Sequence, residues 1–141
     1  MSLLNHNNAR HAEQKAVMAQ IEADGVCSFC PEHMPTYHKH PIEKVGAHWY
    51  VTKNAWPYDH TAYHFLIVPN EHITDTSELS PEAWNELHTL QKWIVNEYNI
   101  ANGTLMLRTG DMSKTGSSVL HLHAHFIVAA NATDPVITRV G

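Results

Sequence analysis

Three histidines alternate along Val119-Leu-His-Leu-His-Ala-His-Phe-Ile-Val128, at His121, His123 and His125, with apolar residues in the gaps and at both ends. Successive side chains of a β-strand point to opposite faces. As a strand, this run projects all three imidazoles from one face, about 6.6–7 Å apart. Leu120, Leu122, Ala124 and Phe126 then enter a core from the other face. As a helix, the same run scatters the imidazoles around the cylinder. Neutral imidazole is a competent nucleophile near pH 7, because its ordinary pKa is about 6.5. Three in register suit attack on an electrophile, donation to an anion, or metal ligation. In-line imidazoles about 7 Å apart splay rather than converge on one ion, and no carboxylate closely follows the run, so ligation of one catalytic metal by all three is disfavoured.

Other reactive types lie nearby in sequence or type. Ser118 directly precedes the run and has a hydroxyl to donate. The Thr115-Gly116-Ser117 turn offers backbone N–H groups that can form an anion-binding nest, with Gly116 allowing close approach. Cys27-Ser-Phe-Cys30 contains the only two cysteines. Tetrahedral zinc takes four ligands, and His33 and His38 are the nearest candidates in sequence to complete a site with this pair.

These groups must be positioned by a chain of 141 residues, enough for one domain with a sizeable core. The hydrophobic fraction of 43 % and charged fraction of 16 % fit a globular class. A net charge of −5 argues against a nucleic-acid binder, which needs a basic face. No apolar run approaches 18 residues, so no membrane span is expected. The polar N-terminus lacks a signal core. Two cysteines without a secretion signal read as metal or redox chemistry in the cytoplasm rather than as a disulfide framework.

In chain order, residues 1–6 read as a loose terminus. A helix is expected over Asn8–Ala23, with Ala12, Ala16, Ala19 and Ala23 on one face and Gly25 as the stop. Strands are expected at Ile42–Val45, Ala47–Lys53, Tyr63–Val68 and Thr104–Thr109, with the histidine run as the last. Ser80-Pro81-Glu82 opens a long helix whose buried face is read as Trp84, Leu87, Leu90, Ile94 and Tyr98. Gly110–Ser118 reads as a loop. The order and short connections favour an α+β domain, an antiparallel sheet with helices on one side. Its open edges make a dimer plausible. The chain is expected to be a single domain over 1–141: a helical extension (1–25), a core (26–128) and a tail (129–141).

His121-Leu-His123-Ala-His125-Phe-Ile127 resembles the His-φ-His-φ-His-φ-φ signature of the histidine triad (HIT) superfamily of nucleotide hydrolases and transferases. The Cys27/Cys30 pair, His64-Phe-Leu-Ile-Val-Pro69 followed by His72-Ile73, and Gly116-Ser-Ser118-Val119 resemble further family motifs. The resemblance implies an antiparallel sheet of about five strands with two main helices, and a homodimer. It implies nucleotide hydrolysis at an α-phosphate of a dinucleoside polyphosphate or nucleoside phosphoramidate. His123 would form a covalent nucleotidyl intermediate, with His125 and Ser118 as its partners. Phosphorolysis, nucleotidyl transfer and a non-catalytic zinc-stabilised nucleotide-binding module are the alternatives. His64, Gly116 and Ser117 would bind substrate. Asn54-Ala-Trp-Pro57-Tyr58 is similar to an Asn-x-x-Pro-Tyr pattern of the dinucleoside-polyphosphate and hexose-phosphate uridylyltransferase branches, which implies a ribose contact at Asn54. Trp49, Trp56 and Tyr58 are candidates for base stacking, though packing roles suit each better. In zinc-containing relatives, the positions matching His72 and His121 complete a structural site with Cys27 and Cys30. No catalytic metal is required.

Overall fold

The computed structural model describes residues 2–6, 9 and 11–141. Its centre is a five-stranded antiparallel sheet of order β1-β2-β3-β5-β4. The strands are β1 (Ile42–Val45), β2 (Trp49–Lys53), β3 (Thr61–Pro69), β4 (Thr104–Leu107) and β5 (Ala124–Ala129). The helices are α1 (Ala12–Asp24), α2 (Met34–Tyr37), α3 (Pro81–Glu97) and α4 (Met112–Thr115), so the chain is α+β, as expected.

Register sorts the side chains onto two faces. Val51 pairs with Ile67, Phe65 with Phe126, and Ile67 with Ala124. These residues and Trp49 form one core with Leu87, Leu90 and Ile94 of α3. The neighbouring positions pair Tyr50 with Val68, Thr52 with Leu66, and Leu66 with His125. On that second face Tyr50, Leu66 and Val68 pack against Met34 of α2 and Phe29. Both faces are therefore covered, and the expectation of helices on one side is corrected. The near-continuous apolar run of β3 is what burial on both faces demands.

α3 begins as read. The Ser80 hydroxyl oxygen accepts from the Ala83 N–H at 3.1 Å, and Pro81 stands at the first helical position. Its inner stripe is Ala83, Leu87, Leu90 and Ile94, whereas Trp84 is 44 % exposed. One residue is about 100° of helix rotation, so Trp84 stands beside the stripe rather than on it.

α1 starts at Ala12; Asn8, where the helix was expected to begin, lies outside the described residues. Gly25 ends it in the left-handed region, φ +69°, its N–H donating to the Ile21 and Glu22 carbonyls. The alanine face is exposed, and Met18 and Ile21 are buried instead. Larger apolar side chains gain more from burial than alanine. The expected loose terminus is also corrected. Leu4 is buried and bridges Val119; the Asn5 N–H donates to the Ser118 carbonyl and the Leu120 N–H to the Leu3 carbonyl.

His38 ends α2, and its Nε2–H donates to the Thr52 hydroxyl at 2.8 Å; that hydroxyl donates onward to the Pro41 carbonyl. Burial, with His40 and Lys39 nearby, pushes the His38 pKa down to about 4. Above pH 6.5 this imidazole is neutral in folded and unfolded chains alike. Between 6.5 and 4 only the unfolded chain takes up the proton, so stability falls as pH falls, by up to about 1.4 kcal/mol per pH unit for this group. His38→Gln keeps a donor for Thr52 but does not titrate. Urea unfolding at pH 7 and pH 5 should show a smaller loss in this variant than in the parent; equal losses would remove His38 from the account.

Candidate active site

The histidine run enters the sheet only at Ala124. Residues 119–123 lie outside the strands, with Leu122 N–H donating to the Ile73 carbonyl at 2.7 Å and Leu120 tied to Leu3. The expected strand from Val119 is corrected accordingly: this segment pairs with the N-terminus and the turn after β3 instead. Side-chain alternation survives without the ladder, since Leu122, Ala124 and Phe126 are all core. The three imidazoles, however, end in different surroundings.

His121 points to the cysteines. Its Nε2–H donates to the Pro69 carbonyl at 2.8 Å, which leaves a lone pair on Nδ1. That atom lies 3.5 Å from Cys27 Sγ, 3.6 Å from Cys30 Sγ and 3.2 Å from His72 Nδ1. Cys30 Sγ is 3.5 Å from His72 Nδ1. With Zn–S about 2.3 Å and Zn–N about 2.05 Å, the edges of a zinc tetrahedron are about 3.3–3.8 Å. The donor set and its spacing fit zinc, and a carbonyl orienting the ligand imidazole is the usual supporting contact. Burial and the adjacent Cys27 hold the Cys30 thiol up at about 12; a dication would supply the charge that ionises it. His33 and His38, the nearer alternatives in sequence, are not in the cluster.

His123 is tied differently. Its Nδ1 is 2.8 Å from the His121 carbonyl, which can only accept, so the proton is on Nδ1 and Nε2 keeps its lone pair. The ring meets Phe29 edge-on at 5.0 Å. Burial, with a smaller contribution from Arg108, lowers its pKa to about 4 against the raising effect of the His121 carbonyl.

His125 faces His64 across β3 and β5, Nδ1 to Nε2, at 2.7 Å. The Tyr58 backbone N–H donates to His64 Nδ1 at 3.2 Å, so His64 carries its proton on Nε2 and donates it to His125. His125 then has its own proton on Nε2. The Asn54 side-chain oxygen accepts from the Trp56 N–H at 2.8 Å, and its amide nitrogen lies 3.2 Å from His64 Nε2. Tyr58 stacks on His125 at 5.8 Å.

A cavity of about 330 Å³ opens over this face, bordered by His123, His125, Ser118, Gly116 and Asn54. Leu4, Val17, Met18 and Ile21 give it an apolar wall. His64 reaches it through His125. Ser117 is buried with its hydroxyl donating to the Val119 carbonyl at 2.8 Å, a contact within its own turn. Gly116 has φ +83°, and a Cβ there would come 3.0 Å from the Arg139 carbonyl. Trp49 is fully buried with its indole N–H on the Ala83 carbonyl, so it is a packing residue. Trp56 and Tyr58 do border the cavity. Sequence reading missed Arg108, whose Nη1 lies 3.4 Å from His125 Nε2. No motif surrounds it, and its partners are Tyr58 and the tail residues Thr138 and Arg139.

A family model described as "Protein similar to CwfJ C-terminal" matches residues 12–133. The chain belongs to this histidine-triad-like family. Solved histidine triad structures share the fold. A HIT family hydrolase from Clostridium thermocellum aligns at 23 % identity and a TM-score of 0.61, over 79 % of this chain and 96 % of that one. A zinc-bound histidine triad family protein from Mycobacterium smegmatis aligns at 17 % and 0.60, over 83 % and 84 %. A histidine triad protein from Clostridium difficile aligns at 19 % and 0.59, over 77 % and 94 %. At these identities the likeness is one of fold. A search of curated proteins finds no match. No helix among the described residues is long and apolar enough to cross a membrane.

Proposed function

We propose that the chain hydrolyses nucleotides at the α-phosphate through a covalent intermediate on His123. The observation that carries this reading is the hydrogen bond from His123 Nδ1 to the His121 carbonyl, 2.8 Å long, which leaves Nε2 as a nucleophile at the edge of the cavity. In the first step Nε2 forms a bond to the α-phosphorus, and the bond from phosphorus to the leaving atom breaks with its electron pair. The His125 Nε2–H, set by the relay from His64, donates to the phosphoryl group. Ser118 and the backbone of the Gly116 turn supply further donors. Water then displaces His123, releasing a nucleoside monophosphate. Ser117 holds the turn, its N–H on the Thr115 hydroxyl and its hydroxyl on the Val119 carbonyl, and Asn54 contacts ribose while buttressing His64.

Cys27, Cys30, His72 and His121 would hold zinc. When bound, it supplies a four-coordinate cross-link between the Cys27–Cys30 turn, the end of β3 and the histidine run. No step of the reaction runs through it. Reduced cysteines fit a cytoplasmic setting. The exposed edges β1 and β4 suit a homodimer.

Chromatographic product analysis with adenosine and guanosine polyphosphates and phosphoramidates, with and without added phosphate, tests the reaction class. Hydrolysis predicts a nucleoside monophosphate whose yield ignores phosphate. A nucleoside diphosphate formed only with phosphate would replace hydrolysis by phosphorolysis. No turnover of any compound would leave a binding module.

A further inference from the structure

The polar end of the cavity carries a charge that chemistry at the α-phosphate alone does not use. The chain is acidic, at −5, yet two of its three arginines, Arg108 and Arg139, line the cavity, and no described Asp or Glu does. Arg108 makes no ion pair among the described residues. Its guanidinium is held by neutral acceptors instead: the Thr138 hydroxyl at 2.8 Å, the Arg139 carbonyl at 2.7 Å and the Tyr58 hydroxyl at 3.3 Å. Its Nε is buried with no acceptor. A part-buried cation without a counter-anion is costly unless a ligand brings the charge. With both Nη2 hydrogens given to Thr138 and the Arg139 carbonyl, Nη1 is the atom left to donate a charge-assisted hydrogen bond to a phosphate oxygen. Arg108 Nη1 is 3.4 Å from His125 Nε2, so an anion at Arg108 adjoins the phosphoryl group that His125 faces. A diesterified α-phosphate has one negative charge, which His125 and Ser118 already face, so the Arg108 cation matches a ligand with more.

We propose that Arg108, clasped by Thr138 and the Arg139 backbone, forms a subsite for the phosphate next to the α-phosphate. The C-terminal tail thereby sets a preference for a phosphate leaving group over a neutral one. This rests on the reading of the cavity as a nucleotide α-phosphate site. When the α-phosphorus–oxygen bond to the next phosphate breaks, the electron pair stays on that phosphate oxygen, and Arg108 stabilises the charge. Thr138 is a positioning residue: it aims the guanidinium and does not touch substrate.

The test is equilibrium binding of AMP and ADP, alongside turnover of a diadenosine polyphosphate and an adenosine phosphoramidate. The parent should bind ADP at least about 10-fold more tightly than AMP, a margin typical of one charge-assisted contact. Arg108→Gln should remove that margin and reduce turnover of the polyphosphate far more than that of the phosphoramidate. Thr138→Val, which keeps the charge, should reduce the margin partially and leave AMP binding unchanged, so the test survives if Arg108→Gln folds poorly. Equal binding of AMP and ADP by the parent, or an unchanged margin in both variants, would overturn the subsite. A margin that behaves as expected without turnover of either substrate would overturn hydrolysis and leave the subsite standing.

Discussion

His123→Ala is expected to lower turnover by about 10⁴-fold or more, the scale seen when a nucleophile is removed, while nucleotide affinity changes only a few-fold. The asymmetry follows from geometry. His123 contributes one lone pair, on Nε2, whose direction is fixed by the Nδ1–H bond to the His121 carbonyl. The phosphate-facing groups, His125, Ser118 and the Gly116 turn, come from other positions around the cavity and remain. His125→Ala should instead weaken binding and turnover together, because its Nε2–H donates in ground and transition states alike. Single-turnover kinetics and calorimetric binding on variants with parent-like melting curves separate the two patterns. A His123→Ala protein with near-parent turnover would remove the nucleophile assignment.

The second large effect concerns the cysteine–histidine cluster. The native protein should contain about one zinc per chain by elemental analysis, and Cys27→Ser/Cys30→Ser should contain none. Ligand linkage gives about 4 kcal/mol of stabilisation when free metal exceeds Kd a thousand-fold. At the roughly 2–4 °C per kcal/mol expected of a domain near this size, that is a fall in Tm of about 8–16 °C. Cobalt substitution should give the visible absorption of a tetrahedral two-sulfur, two-nitrogen site, a readout independent of activity. Loss of metal reaches the reaction only indirectly, because the residue that donates Nδ1 to the cluster also presents its carbonyl to His123. A natively purified protein without metal, melting like the double variant, would contradict this.

The grouping of the site's side chains was more legible in the sequence than the path of its backbone. Alternation alone separated His121, His123 and His125 from Leu122, Ala124 and Phe126, and the structure preserves that division. It could not show that the first two histidines precede the strand, because the pairing of Leu120 with Leu3 and Leu122 with Ile73 is set by distant segments. Cys27, Cys30, His72 and His121 are separated by up to 94 positions, and it was the family resemblance, not their spacing, that linked them. Some misreadings had a visible counter-signal. The apolar run of β3 argued for a sheet covered on both faces, and Val17, Met18 and Ile21 offered α1 a better inner face than its alanines. Arg108 had no such signal. A single arginine after an apolar strand looks like a solvated end, and it is distant residues, Tyr58 and, some 30 residues later, Thr138 and Arg139, that hold it at the cavity.

The most direct test of the central claim is mass spectrometry of enzyme quenched in alkali during turnover, since a phosphorus–nitrogen bond to imidazole survives base better than acid. The account predicts a transient adduct of one nucleoside monophosphate on the peptide containing His123, absent from His123→Ala, with retained configuration at a chiral α-phosphorus. Turnover without any adduct, and with inverted configuration, would show direct attack by water and contradict it.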